Sequence, residues 1–254
     1  RGTSETQRYG ITGWFATQII QQTGKTMVTN NNGVFTSNLN DPDIARAEEL
    51  LYSVAKDKLV YADWVGSAKD CFSMKNILFY SMGTWAMTGT AGPQEGDDWR
   101  VVPVPTDPNS DGQYMTSDMA AYMWVKGSTK NEAVKCWFEC SRVAEIDPQY
   151  RQDGKDKFFI SNPNWTEEMY QVFVDSSSEE YTQVFDFSYG ISPKFSDDNS
   201  QDDQSGSPAR NLYEFVTKSD DEGVQQTWTQ VKTMYSSMLD TELSAVNKAI
   251  SEIK

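Results

Sequence analysis

Three short apolar runs, at 77–82, 99–105 and 121–127, are separated by stretches whose apolar residues recur at helical spacing. This alternation constrains the fold most, because strands interleaved with helices pack as a mixed α/β domain. ILFYSM ends in a Gly83-Thr84-Trp85 corner, and WRVVPVP is closed by its prolines. AYMWVKG leads into a predicted helix over 130–145, with Val134, Trp137, Phe138 and Ser141 on one stripe. A helix over 42–59 has Asp41 to cap it, Pro42 in its first turn and Asp43 to complement its dipole. Its buried face is Ile44, Ala47, Leu51 and Val54. Before it, Asn30-Asn31-Asn32-Gly33 predicts a tight turn between two short extended pieces. From 146 to 190 the pattern is less regular, with one helix expected near 166–176. The polar stretch 196–208 reads as a mobile surface loop. The longest predicted helix is 225–253, with Trp228, Val231, Tyr235, Met238, Leu239, Val246 and Ile250 on one side.

Charge and composition remove whole classes of function. With 37 Asp and Glu against 22 Lys and Arg, the net charge of −15 opposes both nucleic acid and anionic lipid as partners. There is no histidine, which excludes Ser-His-Asp and Cys-His nucleophiles and His-ligated zinc. Carboxylate-pair and Ser-Lys chemistry remain open. Cys71, Cys136 and Cys140 form no metal-type cluster, and the last two, four apart on a helix, are expected to serve as small apolar packing. No run is long enough to insert into a membrane. The opening RGTSETQRYGITGWF lacks an initiating Met, as expected of a processed or truncated start.

Eight Trp and twelve Tyr are too many to be anything but mostly core, so only individual positions argue for a site. Trp85 is the leading candidate: Gly83 lets the chain turn after a strand and puts an indole at the strand's carboxyl end, where α/β folds open their clefts. Trp14 follows, between Ile11 and Phe15, with Gly10 and Gly13 suiting a close backbone approach. Asp107-x-Asn109-x-Asp111-Gly112, with Asp118 in twelfth place, spells a calcium-type loop, but Pro108 and the preceding Pro-x-Pro strand replace the entering helix. The acid pairs Glu48-Glu49, Glu167-Glu168 and Glu179-Glu180 fall in helical or polar segments and are expected at the surface.

Four stretches together carry a resemblance. They are AKDCFSMKNILFYSMGTWAM, DDWRVVPVPTDPNSDGQ, MTSDMAAYMWVKGSTKNEAVKCWFECSRVAE and the closing TWTQVKTMYSSMLDTELSAVNKAI. In that order they resemble the extracellular solute-binding proteins of bacterial ABC transporters, the carbohydrate-binding family that includes the maltose-binding proteins. The resemblance implies an α/β fold of the periplasmic-binding-protein-like type II, mostly the second lobe, with the N-terminal lobe largely absent. It implies second-lobe residues with the hinge over 1–115, a segment over 116–190 crossing into the first lobe, and a return over 191–254. On that implication Trp137 and Phe138 lose burial, because the lobe they pack on is missing.

The implied function is binding of a carbohydrate, an oligosaccharide, and its delivery to a membrane permease, with no catalysis and no cofactor. The implied location is extracellular, tethered by a lipid anchor outside this chain, or periplasmic. Trp85 is then the residue that stacks on a sugar ring, and Trp14 lies on an aromatic-bearing hinge segment. Asp118 and Tyr114 lie on the crossing beside the cleft, and Arg210 and Tyr213 on a late aromatic segment next to it. Two other readings stay open from the residues alone: a carboxylate-pair glycoside hydrolase, and a calcium-linked adhesion or scaffold module on the 107–118 loop.

Overall fold

The computed structural model describes residues 7–116, 125–196, 207–218 and 224–253. It is a mixed α/β structure. In chain order the elements are β1 (Tyr9–Gly13), α1 (Phe15–Gln21), β2 (Val28–Asn31), β3 (Val34–Ser37), α2 (Pro42–Lys56), α3 (Ala68–Met74) and β4 (Ile77–Ser81). Then come β5 (Tyr114–Thr116), α4 (Asn131–Ile146), α5 (Pro148–Ser161), α6 (Glu167–Asp175), β6 (Thr182–Val184), α7 (Pro193–Ser196), α8 (Pro208–Glu214) and α9 (Trp228–Ile253).

Local chemistry explains most of these boundaries. The Asp41 carboxylate accepts from the Asp43 amide and Pro42 opens α2, so the expected cap is in place. Asn32 and Gly33 both have positive φ (54° and 85°), which suits the two-residue hairpin turn joining antiparallel β2 and β3. Asp147 caps α5 and Pro148 starts it, a helix the sequence pattern did not reveal because its faces are weakly segregated. Ser207 and Pro208 do the same for α8.

The described strands form three two-stranded sheets. β1 and β4 pair in parallel, with Gly13 opposite Ser81. β5 and β6 also pair in parallel, with Tyr114 opposite Thr182. The expected strand at 99–105 does not form. Pro103 and Pro105 have no amide to donate, and the segment runs beside the free edge of β4 across a groove of about 680 Å³ lined by Leu78, Phe79 and Val102. Of the expected strand at 121–127, only 125–127 are described and they are not extended into a ladder; the loop expected at 196–208 falls mainly outside the described residues.

The main core joins α1, α2, α8 and α9 around Ile20, Ile44, Leu51, Leu212, Val231 and Leu239. A second cluster packs Trp165 and Met169 on Trp99, with Phe158 and Phe72 beside them. The α9 face differs from expectation: Leu243 is buried, while Met238 is exposed. Glu48, expected at the surface, is fully buried in α2. On the helical wheel it lies about 40° from Ile44, at the margin of the apolar stripe on the side away from Leu51, and the core closes over it. Among the described residues no helix is long and apolar enough to cross a membrane.

Candidate functional site

Two of the expected aromatic residues meet. Trp14 follows β1 and Trp85 follows β4, and the parallel pairing of those strands brings their carboxyl ends side by side. The register is held beyond the strands, since the Trp14 amide donates to the Ser81 carbonyl at 2.7 Å. The indoles of Trp14 and Trp85 lie 6.0 Å apart at 62°, an edge-on contact. Trp85 is 55 % exposed and Trp14 half-buried, so neither is a core side chain.

A third indole completes the group. Trp64 lies 6.2 Å from Trp14 and is 60 % exposed. The sequence pattern missed it, although the signal is visible in retrospect: YADWVGS has neither helical nor alternating period, so no core stripe claims its Trp. The neighbouring Asp63 carboxylate accepts from the Tyr61 hydroxyl, whose pKa is raised mainly by desolvation and then by this carboxylate.

The glycines act differently from expectation. Gly13 has φ +92°, and a Cβ there would sit 1.9 Å from the Ser81 carbonyl oxygen; the close approach is strand to strand, not backbone to ligand. Gly83 has ordinary extended angles, so the turn does not require it. What requires it is the Trp85 ring, whose Nε1 would lie 2.6 Å from an added Cβ. The absent side chain lets the indole fold back over its own backbone.

Polar groups line the same end of α1. Gln18 is four residues after Trp14, hence on the same helical face, and its Oε1 accepts from the Ser81 hydroxyl at 2.7 Å. That bond orients the amide and leaves its nitrogen to donate elsewhere.

The other expected site residues are placed elsewhere. Tyr114 sits past the opposite end of α1, its ring over Gly24, its hydroxyl donating to Asp111 and its carbonyl accepting from Gln22. Asp118 lies outside the described residues. Tyr213 is wholly buried and its hydroxyl donates to the buried Asp186 carboxylate, so it offers no face to a ligand. An aromatic residue in a late helix reads alike from sequence whether it points in or out. Arg210, on the same helix, pairs with Glu214 at 2.9 Å.

The calcium-type loop is put to a different use. Both Asp107 oxygens accept from the Arg46 guanidinium, at 2.8 and 2.7 Å, and Oδ1 also accepts from the Asn109 amide. Arg46 holds the Asp107 carboxyl below its ordinary pKa, chiefly through these hydrogen bonds. The loop is an Asx turn docked on α2 by a forked ion pair. Cys136 and Cys140, expected as packing, are both exposed on α4, whereas Cys71 is buried.

No family model, curated protein or solved structure matches this chain. Function is therefore read from the site itself: a solvent-open group of three indoles at the carboxyl ends of paired parallel strands, beside an oriented amide.

Proposed function

We propose that this chain binds a carbohydrate at the Trp14–Trp64–Trp85 group, as part of an extracellular solute-binding protein that delivers its ligand to an ABC-transporter permease. The observation that carries the reading is the exposure of three grouped indoles. Burying a Trp in water-facing surroundings is favourable, so leaving three of them half open together is costly unless a ligand covers them. Indole faces fit the C–H faces of sugar rings, and the oriented Gln18 amide supplies a donor to a hydroxyl.

Two further features support a periplasmic-binding-protein-like second lobe. The indoles lie where strands end in parallel, the usual mouth of an α/β cleft. Trp137 and Phe138 on α4 are 47 % and 50 % exposed, as an apolar helix face is when the lobe it packs on belongs to a missing part of the protein. In that reading the absent first lobe closes the cleft, and the ligand is held between the lobes.

The test is a thermal-shift and calorimetric screen of the chain and its Trp85→Ala variant against mono- and oligosaccharides. Covering roughly 100 Å² of indole stabilises a complex by about 2.5 kcal/mol. The variant is therefore expected to bind about 10- to 100-fold more weakly, with its own melting temperature nearly unchanged. Equal affinities for the two proteins would remove Trp85 from the site. Release of reducing sugar during incubation would replace the binding reading with a hydrolase.

A further inference from the structure

Cys136 and Cys140 lie one helical turn apart on α4. Both are free thiols and both are exposed. Four residues is the spacing at which helical side chains sit one above the other. The Cys140 thiol is hydrogen-bonded to Cys136, so the two sulfurs are already neighbours. Cys71 is the contrast: it is buried and alone, and desolvation pushes its pKa up to about 11, which makes it inert.

The surroundings leave this pair open. Val134 and Ser141 are the half-buried residues of α4, and Trp137 and Phe138 flank them on the same stripe. At about 100° per residue, the two cysteines lie roughly 130° round the helix from that stripe. A lobe docking on Trp137 and Phe138 would therefore leave the thiols uncovered. Their own neighbours along the helix are Ala133, Val143 and Ala144, side chains too small to cover a sulfur. Both cations of α4 are engaged elsewhere, Lys135 with Glu132 and Arg142 with Glu139, each at 2.9 Å. Thiolates formed here have no counter-ion on their own helix, so a bound cation would supply it.

Distance selects what can join the two sulfurs. Side chains four apart on a helix have Cβ atoms about 5–6 Å apart, whereas a disulfide needs about 3.5–4.5 Å. A direct sulfur–sulfur bond therefore requires α4 to unwind. A single ion between the sulfurs does not: metal–thiolate bonds of about 2.3 Å span about 4.6 Å when the two are in line. Zinc takes four ligands, and calcium and magnesium take oxygen. Two thiolates alone suit a soft ion that accepts linear coordination, and Cu(I) is such an ion.

We infer that Cys136 and Cys140 form a binding site for one Cu(I) ion, held between the two sulfurs on the exposed side of α4. Each S–H bond breaks with its electron pair left on sulfur, and each sulfur forms one bond to the ion. Two protons pass to solvent, and no oxidation state changes. The bound ion closes one turn of the helix as a staple. Nothing in this site depends on the indoles or on their ligand.

The experiment is an anaerobic titration with Cu(I) against the coloured chelator bicinchoninate, on the parent, Cys136→Ser and Cys140→Ser. All three retain Cys71, which controls for binding by a lone thiol. Both substituted positions are exposed, so the melting temperatures of the variants are expected to match the parent. The parent is expected to take one Cu(I) per chain. Each variant is expected to bind at least about 100-fold more weakly, the loss that follows when a second ligand on the same scaffold is removed. Amide exchange in α4 is expected to slow at least about threefold when Cu(I) binds, with α2 unchanged. Equal affinity in the parent and either variant overturns the site. So does one ion per two chains, which would place sulfurs of different molecules on the metal, or exchange in α4 that the bound ion leaves unchanged. Displacement of Cu(I) by an equal concentration of zinc overturns the two-coordinate assignment.

Discussion

Glu48 is the residue whose position is hardest to reconcile with its chemistry. It is fully buried in α2, and neither carboxylate oxygen has a hydrogen-bond partner. Desolvation raises its pKa well above the ordinary carboxylate value. The sign of the consequence follows. The folded state holds the proton at pH values where the unfolded chain has released it, so stability is greatest below the unfolded pKa of about 4.3 and falls as pH rises towards the folded value. Glu48→Leu removes an unsatisfied buried polar group and is expected to stabilise the protein by about 1 to 3 kcal/mol near neutral pH, less near pH 4. Denaturant titrations of both proteins across pH 4 to 8 measure this; a difference independent of pH would show that Glu48 is not titrating in the core. Burial of this acid was not legible in the sequence. Glu48 and Glu49 are adjacent acids on one helix, and only the 100° between them, set against the actual core, separates a buried one from an exposed one.

Among elements, the parallel β1–β4 pair carries the candidate site, and Gly13 is its weakest link. Its φ of +92° suits glycine, and Ser81 fills the space a side chain needs. Gly13→Ala is therefore expected to cost at least about 2 kcal/mol, from strain and from the displaced strand together. It should also weaken ligand binding, because Trp14 and Trp85 are aligned only through this pairing. Gly10→Ala is the control: its nearest atoms beyond the chain neighbours lie 3.4 Å from an added Cβ, and a small effect on the denaturation midpoint is expected there. The sequence marked Trp85 through its strand–Gly–x–Trp corner, and Trp14 through its flanking glycines. That the two indoles touch depends on a pairing across 68 residues of chain, from Gly13 to Ser81, which no local pattern encodes.

At the scale of the molecule, burial is uneven. The main core holds α1, α2, α8 and α9, whereas no residue of α4 or α5 is fully buried. Local stability follows burial, so amide exchange in α4 is expected to be at least about tenfold faster than in α2 and in the buried part of α9. Peptide-level exchange followed by mass spectrometry reads this directly. Trp137 and Phe138 make the same point, since substituting them by Ser should change the stability of this chain by under about 1 kcal/mol. In the proposed two-lobed protein, a first lobe supplied in trans should slow exchange in α4 selectively. Uniform slowing over the whole chain would instead indicate general stabilisation rather than docking on that helix.

The sequence by itself determined the mixed α/β class, the capped helix α2, the Asn-Gly hairpin, the helices α4, α6 and α9, and two of the three grouped indoles. Each of these rests on local chemistry: a cap, a turn residue, a helical period, or a glycine before a Trp. Tertiary structure alone decided the rest. It placed Trp64 beside Trp14, turned Tyr213 inward against Asp186, tied Asp107 to Arg46, and left 99–105 unpaired along β4. The physical reason is common to all four. Side chains of one chemistry serve as core, platform or anchor according to what lies opposite them, and that partner is distant in the chain.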